Sequence, residues 1–284
     1  MPPIIQHAWD QEPRRSFQEY RAYESLFLAL LRLSPRMIKF ERSFRLHRDM
    51  AEFLRREIYD RDGIAYYSTR HDVLPPRRFG DPFVRAVLAP EHPLVVVVHD
   101  EAESQTRNAF EQALVTPIVL ALADAGGYGL DPQHGMGIVV PHRAQRAALQ
   151  EALPALSLFD ANGVLRLSAV DTVERFQGGE REVILVSATE SQPQYILAAG
   201  TFLLDPRRLT VAISRAKRKM ILVASRSVFT LFNPDEEVFA NAQLWKDLLR
   251  RTCTQPLWAG ERGGRHVEVW GNPTPHERAP TDGT

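Results

Sequence analysis

The chain has 284 residues, of which 44% are hydrophobic and 25% charged, with 35 basic and 35 acidic side chains. This is the composition of an ordinary globular protein, long enough for one large domain or two small ones. A formal net charge of zero excludes a global field for nucleic acid, so any such contact has to come from local basic clusters.

The single cysteine, Cys253, excludes an internal disulfide and a cysteine-built zinc site, and it fits a reducing, cytoplasmic setting. The nine histidines are scattered, with no carboxylate/His spacing of a ligand set, so no metal site is expected. No apolar run approaches the roughly 20 residues of a membrane span. The opening MPPIIQHAWDQEPRRS does not have the pattern of a signal peptide.

In chain order, residues 17–33 have apolar positions near helical spacing, and 37–40 read as a short strand. An amphipathic helix is expected over 48–59 and a Pro-rich loop over 74–82. The run LVVVV at 94–98 is the mark of a strand covered on both faces. Residues 106–125 read as a helix that Pro117 should kink or interrupt. A strand at 136–140 and a helix at 143–153 come next. Further strands are expected at 165–170 and 183–188, then a helix at 209–215 and a buried strand at 220–224. Helices near 227–232 and 239–251 close the run. LWAGERGGRHVEVWGN, with Gly263-Gly264 between alternating runs, signals a β-hairpin. The Pro/Thr-rich tail from Asn272 has the composition of a disordered segment.

Strand alternating with helix predicts βαβ units, hence an α/β fold with a parallel sheet and helices on both faces. Sites in such sheets are expected at the carboxyl ends of the strands.

Two blocks set charged or basic residues directly before an apolar strand: VDTVERFQGGEREVILVSA (170–188) and DPRRLTVAISRAKRKMILVAS (205–225). FERSFRLHRDMAEFLRREIYD (40–60) and GIVVPHRAQRAALQ (137–150) precede them, with SQTRNAFEQA (104–113) between. In this order the blocks resemble superfamily 1B helicases, the group containing the nonsense-mediated-decay helicase. The resemblance implies a RecA-like fold, specifically the second domain of a two-domain motor. It covers most of residues 36–226.

The same resemblance implies roles for individual residues. Arg215 matches the arginine finger on the γ-phosphate, and Arg45 matches a second phosphate-sensing arginine. A guanidinium suits this chemistry because it stays ionised and donates in a planar fork. Phe44 stands where an aromatic packs on the nucleotide base. Glu180, after Gln177 and Gly178, matches a motif V glutamate near the ribose and phosphates. Gln145 and Arg146 match a pair that reaches toward the nucleotide cleft. Thr172, Pro141, His142 and Arg143 match loops that contact single-stranded DNA or RNA, with His142 in a place often held by Tyr.

Blander readings stand beside these. Arg215 could be a solvated arginine before a strand, Glu180 a surface ion-pair partner, and Phe44 core. Gln145 and Arg146 could be an exposed helical face. Arg207 and Arg208 are expected to form structural ion pairs.

The sequence contains no G-x-x-x-x-G-K-[ST] loop, so ATP with magnesium is expected to be bound mainly by a first RecA-like domain, in the same parent chain or separately encoded. Met1-Pro2-Pro3 resembles the end of motif III, which predicts a sequence beginning inside a longer frame. The expected divisions are 1–92 as linker, 93–252 as the RecA-like domain, 253–271 as hairpin extension and 272–284 as tail. The implied function is the C-terminal motor half of an ATP-dependent helicase or translocase, predicted to be inactive in isolation. The alternative is a non-enzymatic orphan domain that binds a partner or nucleic acid.

Overall fold

The computed structural model describes residues 41–159, 165–172, 179–232 and 235–274. The helix expected at 17–33, the strand at 37–40, the loop carrying Gln177 and Gly178, and most of the tail lie outside these residues.

The strands are β1 (Arg42–His47), β2 (Tyr67–Arg70), β3 (Leu94–His99), β4 (Met136–Val140), β5 (Ser157–Phe159), β6 (Leu165–Ser168), β7 (Val170–Thr172), β8 (Arg181–Ser187), β9 (Ala216–Ser225), β10 (Gln255–Arg262) and β11 (Arg265–Gly271). The helices are α1 (Arg48–Glu57), α2 (Pro82–Val87), α3 (Ala109–Ala123), α4 (Arg143–Ala152), α5 (Pro193–Leu203), α6 (Pro206–Ile213), α7 (Arg226–Thr230) and α8 (Glu236–Asp247).

Seven strands make the main sheet in the order β10-β11-β3-β9-β8-β4-β7. The five strands from β3 to β7 pair in parallel, whereas β11 runs antiparallel to β3 and β10 antiparallel to β11. Every residue of β3 is buried. Its β-branched side chains alternate between two cores, as a period of two dictates. Leu94, Val96 and Val98 join Phe53, Leu222 and Trp245 on one face. Val95 and Val97 join Phe83, Leu114 and Ile118 on the other. Helices thus cover both faces, and the mostly parallel sheet is consistent with a RecA-like fold.

Helix starts follow capping chemistry. Asn108 caps α3 by accepting from the Glu111 amide, and Asp205 caps α6 by accepting from the Arg207 amide, with Pro206 at the first turn. Three expectations are revised. α3 runs through Pro117 unbroken, because Leu114, Val115 and Ile118 bury on the core around it. The strand expected at 165–170 is two: β6 pairs with β5 in a separate sheet, and β7 joins the main one. The hairpin at Gly263-Gly264 is present, and it docks on β3 as part of the main sheet. Gly263 and Gly264 both have positive φ, of 52° and 73°, which only glycine adopts freely in a two-residue turn.

One buried charge-bearing group has a structural task. Lys219 of β9 is 1% exposed, and its ammonium donates to the Ala89 carbonyl at 2.8 Å and the His92 carbonyl at 2.6 Å. Burial pushes its pKa down to about 7. Among the described residues, no helix is long and apolar enough to cross a membrane.

Candidate functional site

Three distant segments meet at the amino ends of the central strands. Glu180 immediately precedes β8, Arg215 immediately precedes β9, and the Arg215 carbonyl accepts from the Arg181 amide at 3.0 Å. This parallel pairing fixes the two residues side by side. Arg45 arrives from β1: its Nε donates to Glu180 Oε2 at 2.6 Å and another of its nitrogens donates to the Ser214 carbonyl at 3.2 Å. Lys217 approaches the other Glu180 oxygen at 2.8 Å.

The electrostatics report the same cluster. The Lys217 ammonium, together with Arg45, holds the Glu180 carboxyl below its usual pKa despite some burial. Arg215 is held below the usual arginine value by partial burial and then by the positive charge of Arg45, with Glu180 opposing. Its Nε is buried and has no hydrogen-bond partner among the described residues. Arg42, Phe44, Arg45, Glu180, Ser214 and Lys217 line a groove with about 870 Å³ of open space. Phe44 is 75% exposed at its rim, so it is not a core residue, and the Arg42 guanidinium carbon lies 4.7 Å from its ring centroid.

Two guanidiniums beside one carboxylate and an ammonium leave an excess of positive charge. A cationic groove with an exposed aromatic at its rim suits a nucleoside triphosphate. Among the described residues no cluster of His, Cys, Asp and Glu could hold a metal ion.

The other predicted residues lie at the opposite, carboxyl ends of the strands. Pro141, His142 and Arg143 come directly after β4, and Thr172 ends β7, paired with Val140. A strand of seven residues like β8 spans ~20 Å, which separates the two ends. Arg143 is exposed. His142 Nε2 lies 2.7 Å from a carboxylate oxygen of Glu190, a fully buried residue whose pKa burial raises. Its ring meets Tyr195 edge-on at 6.4 Å.

Gln145 and Arg146 are at this end too, away from the cationic groove. Gln145 is fully buried: its side-chain oxygen accepts from the Asn108 amide at 2.8 Å, and its nitrogen donates to the Asn108 carbonyl at 3.2 Å. An exposed helical face is therefore the wrong description of Gln145. Arg146 pairs with Asp171 at 3.0 Å, beside Thr172. Behind them Glu111 accepts from Ser187 at 2.5 Å and from the Thr189 amide at 2.9 Å, and Thr189 has a positive φ of 66°. Gln177 and Gly178 are outside the described residues.

Sequence reasoning gave no role to Lys217, Ser214 or Glu190. Lys217 lies within the 205–225 block, two positions after Arg215 and near the start of β9. Ser214 contributes through its carbonyl, which no side-chain pattern reveals. Arg207 makes the expected ion pair, with Asp205 at 2.9 Å.

The mostly parallel seven-stranded sheet with helices on both faces defines an α/β domain consistent with a RecA-like fold. The AAA domain family matches residues 22–227, and the chain belongs to it, as a superfamily 1B helicase-like domain. It is 28% identical over 80% of its length to the DNA replication ATP-dependent helicase/nuclease JHS1 of Arabidopsis thaliana, covering 16% of that protein. It is 28% identical over 80% of its length to the regulator of nonsense transcripts 1 homolog of Drosophila melanogaster, covering 18%. To the putative helicase MOV-10 of Gallus gallus it is 29% identical over 66% of its length, covering 20%. The chain thus spans a fifth or less of these relatives.

Proposed function

We propose that this chain supplies the C-terminal motor half of an ATP-dependent superfamily 1 helicase or translocase acting on DNA or RNA. The observation that carries the reading is the meeting of Arg45, Glu180 and Arg215, from segments far apart in sequence, beside a cationic groove that Arg45 and Glu180 line. Arg215 is the arginine finger and Arg45 the second phosphate contact. They neutralise charge on a γ-phosphate presented by a first RecA-like domain, where positioning and charge neutralisation do most of the work of phosphoryl transfer. Glu180 orients Arg45 and lies toward the ribose and phosphates, and Phe44 offers its exposed ring to the base. ATP and magnesium are held mainly by the first domain.

A single strand crosses the carboxyl ends of the sheet. Thr172, Pro141, His142 and Arg143 contact its phosphates and sugars, because a translocating motor reads no sequence. The relatives named as helicases support nucleic acid as the partner class. Gln145 and Arg146 act by holding these loops.

The test is Arg215→Ala in a two-domain parent. ATP hydrolysis should be abolished and nucleotide binding kept. Unchanged turnover would remove the assignment.

A further inference from the structure

The β10–β11 hairpin lies outside the residues that match the family. Val267 of β11 pairs with His99, the last residue of β3, so the turn at 263–264 projects past the carboxyl end of the sheet. That is the end carrying Thr172 and Arg143. Hairpin and β7 occupy opposite edges of the sheet, six strand spacings apart, or ~29 Å.

The turn brings two like charges face to face. Arg262 and Arg265 are direct cross-strand partners on one side of the hairpin. Like charges directly opposite destabilise a strand pair. Arg262 is offset: it pairs with Asp81, and its guanidinium carbon stands 4.3 Å from the Phe83 ring centroid. Arg265 has no carboxylate partner among the described residues, and its guanidinium carbon lies 6.0 Å from the ring centroid of Phe110. A Cβ on Gly263 would meet the same Phe110 ring at 3.3 Å, so the turn rests on the first turn of α3, next to exposed Arg107. Arg107 also lacks a carboxylate partner among the described residues. The acids bordering the turn are largely engaged. Asp100 pairs with Arg226 at 2.7 Å, and Glu268 pairs with Arg226 at 3.2 Å and His266 at 3.1 Å. Glu261 pairs across from His266 and so faces the other side.

We propose that this hairpin tip extends the nucleic-acid track, with Arg265, supported by Arg107, contacting the phosphodiester backbone of a single strand. An anion at the tip offsets the repulsion between the two arginines, and the Phe110 ring under Arg265 gives the contact an aromatic floor. The inference rests on the reading that a strand crosses the carboxyl ends of the sheet.

The test is binding of labelled oligo-dT and oligo-rU to the full chain over a range of salt. Arg265→Gln should weaken binding to both about three- to tenfold and reduce the slope of log affinity against log salt by about 0.7, the loss of one phosphate. Arg265→Lys should keep the slope. In the wild-type chain, hydrogen exchange at residues 262–265 should slow when oligo-dT is added, a readout independent of how any variant folds. Wild-type affinity and slope in Arg265→Gln, while Arg143→Gln weakens binding, would overturn the hairpin contact and leave the track. Unchanged exchange at the tip would also overturn it. No binding of either oligonucleotide by the chain would overturn the hairpin contact and the track together.

Discussion

Arg45 and Glu180 are 135 residues apart in sequence, yet Arg45 Nε stands 2.6 Å from the Glu180 carboxylate. The contact joins a two-stranded sheet on one side to the start of a central strand on the other, and Lys217 closes it from behind. Both partners are near 40% exposed, so the pair contributes little to stability, below about 1 kcal/mol.

Glu180→Gln should therefore leave the unfolding midpoint at neutral pH nearly unchanged. The lowered pKa of Glu180 gives the pair's contribution a sign: it is present above the usual value of 4.5 and lost as the pH falls below it. Denaturant titrations should show the variant losing slightly less stability than wild type on acidification. A loss of several kcal/mol at pH 7 would mean that the pair is a structural support.

Lys219 predicts a trend of the same sign in a higher pH window. Its folded pKa of about 7 lies below the usual 10.5, so the folded state binds fewer protons between those values. The lysine's contribution to stability then rises as the pH climbs through this window. Measured at pH 7 and pH 9, the stability difference between wild type and Lys219→Met should move in favour of wild type at the higher pH. A difference independent of pH would contradict a lysine strained by its burial.

Asp205 and Arg207 separate a cap from a surface ion pair. Asp205→Ala removes the side chain that accepts from the Arg207 amide at the start of α6, and should cost about 1 kcal/mol. Arg207→Ala, at a side chain 88% exposed, should cost less than half of that. Thermal unfolding of the two variants decides it, and equal losses would count against the cap.

Gln145→Ala should cost about 1–3 kcal/mol, because it leaves the buried Asn108 amide without its partner. The loss should appear in chemical denaturation without any nucleotide present. A variant as stable as wild type that fails only in nucleotide binding would return Gln145 to the cleft.

The sheet was legible where apolar runs were long. β3 and β4 fall almost residue for residue where LVVVV and MGIVV lie, since strands covered on both faces carry no polar interruptions. β1 and β2 were not legible, because their mixed, half-exposed residues carry no such run. α5 was missed for lack of an amphipathic pattern in PQYILAAGTFL. The site divided in the same manner. The motif blocks pointed to Arg45, Glu180 and Arg215, but the strand-end rule placed function at the carboxyl ends, and this cluster is at the amino ends. Only the parallel register of β8 and β9 puts Glu180 beside Arg215.

The central claim is that Arg45 and Arg215 serve one phosphate. The most direct measurement is a double-mutant cycle on nucleic-acid-stimulated ATP hydrolysis by a two-domain parent, with Arg45→Ala, Arg215→Ala and both together. Residues acting as a unit are non-additive, so the double variant should be scarcely slower than the worse single one. Losses that multiply independently would contradict a shared phosphate.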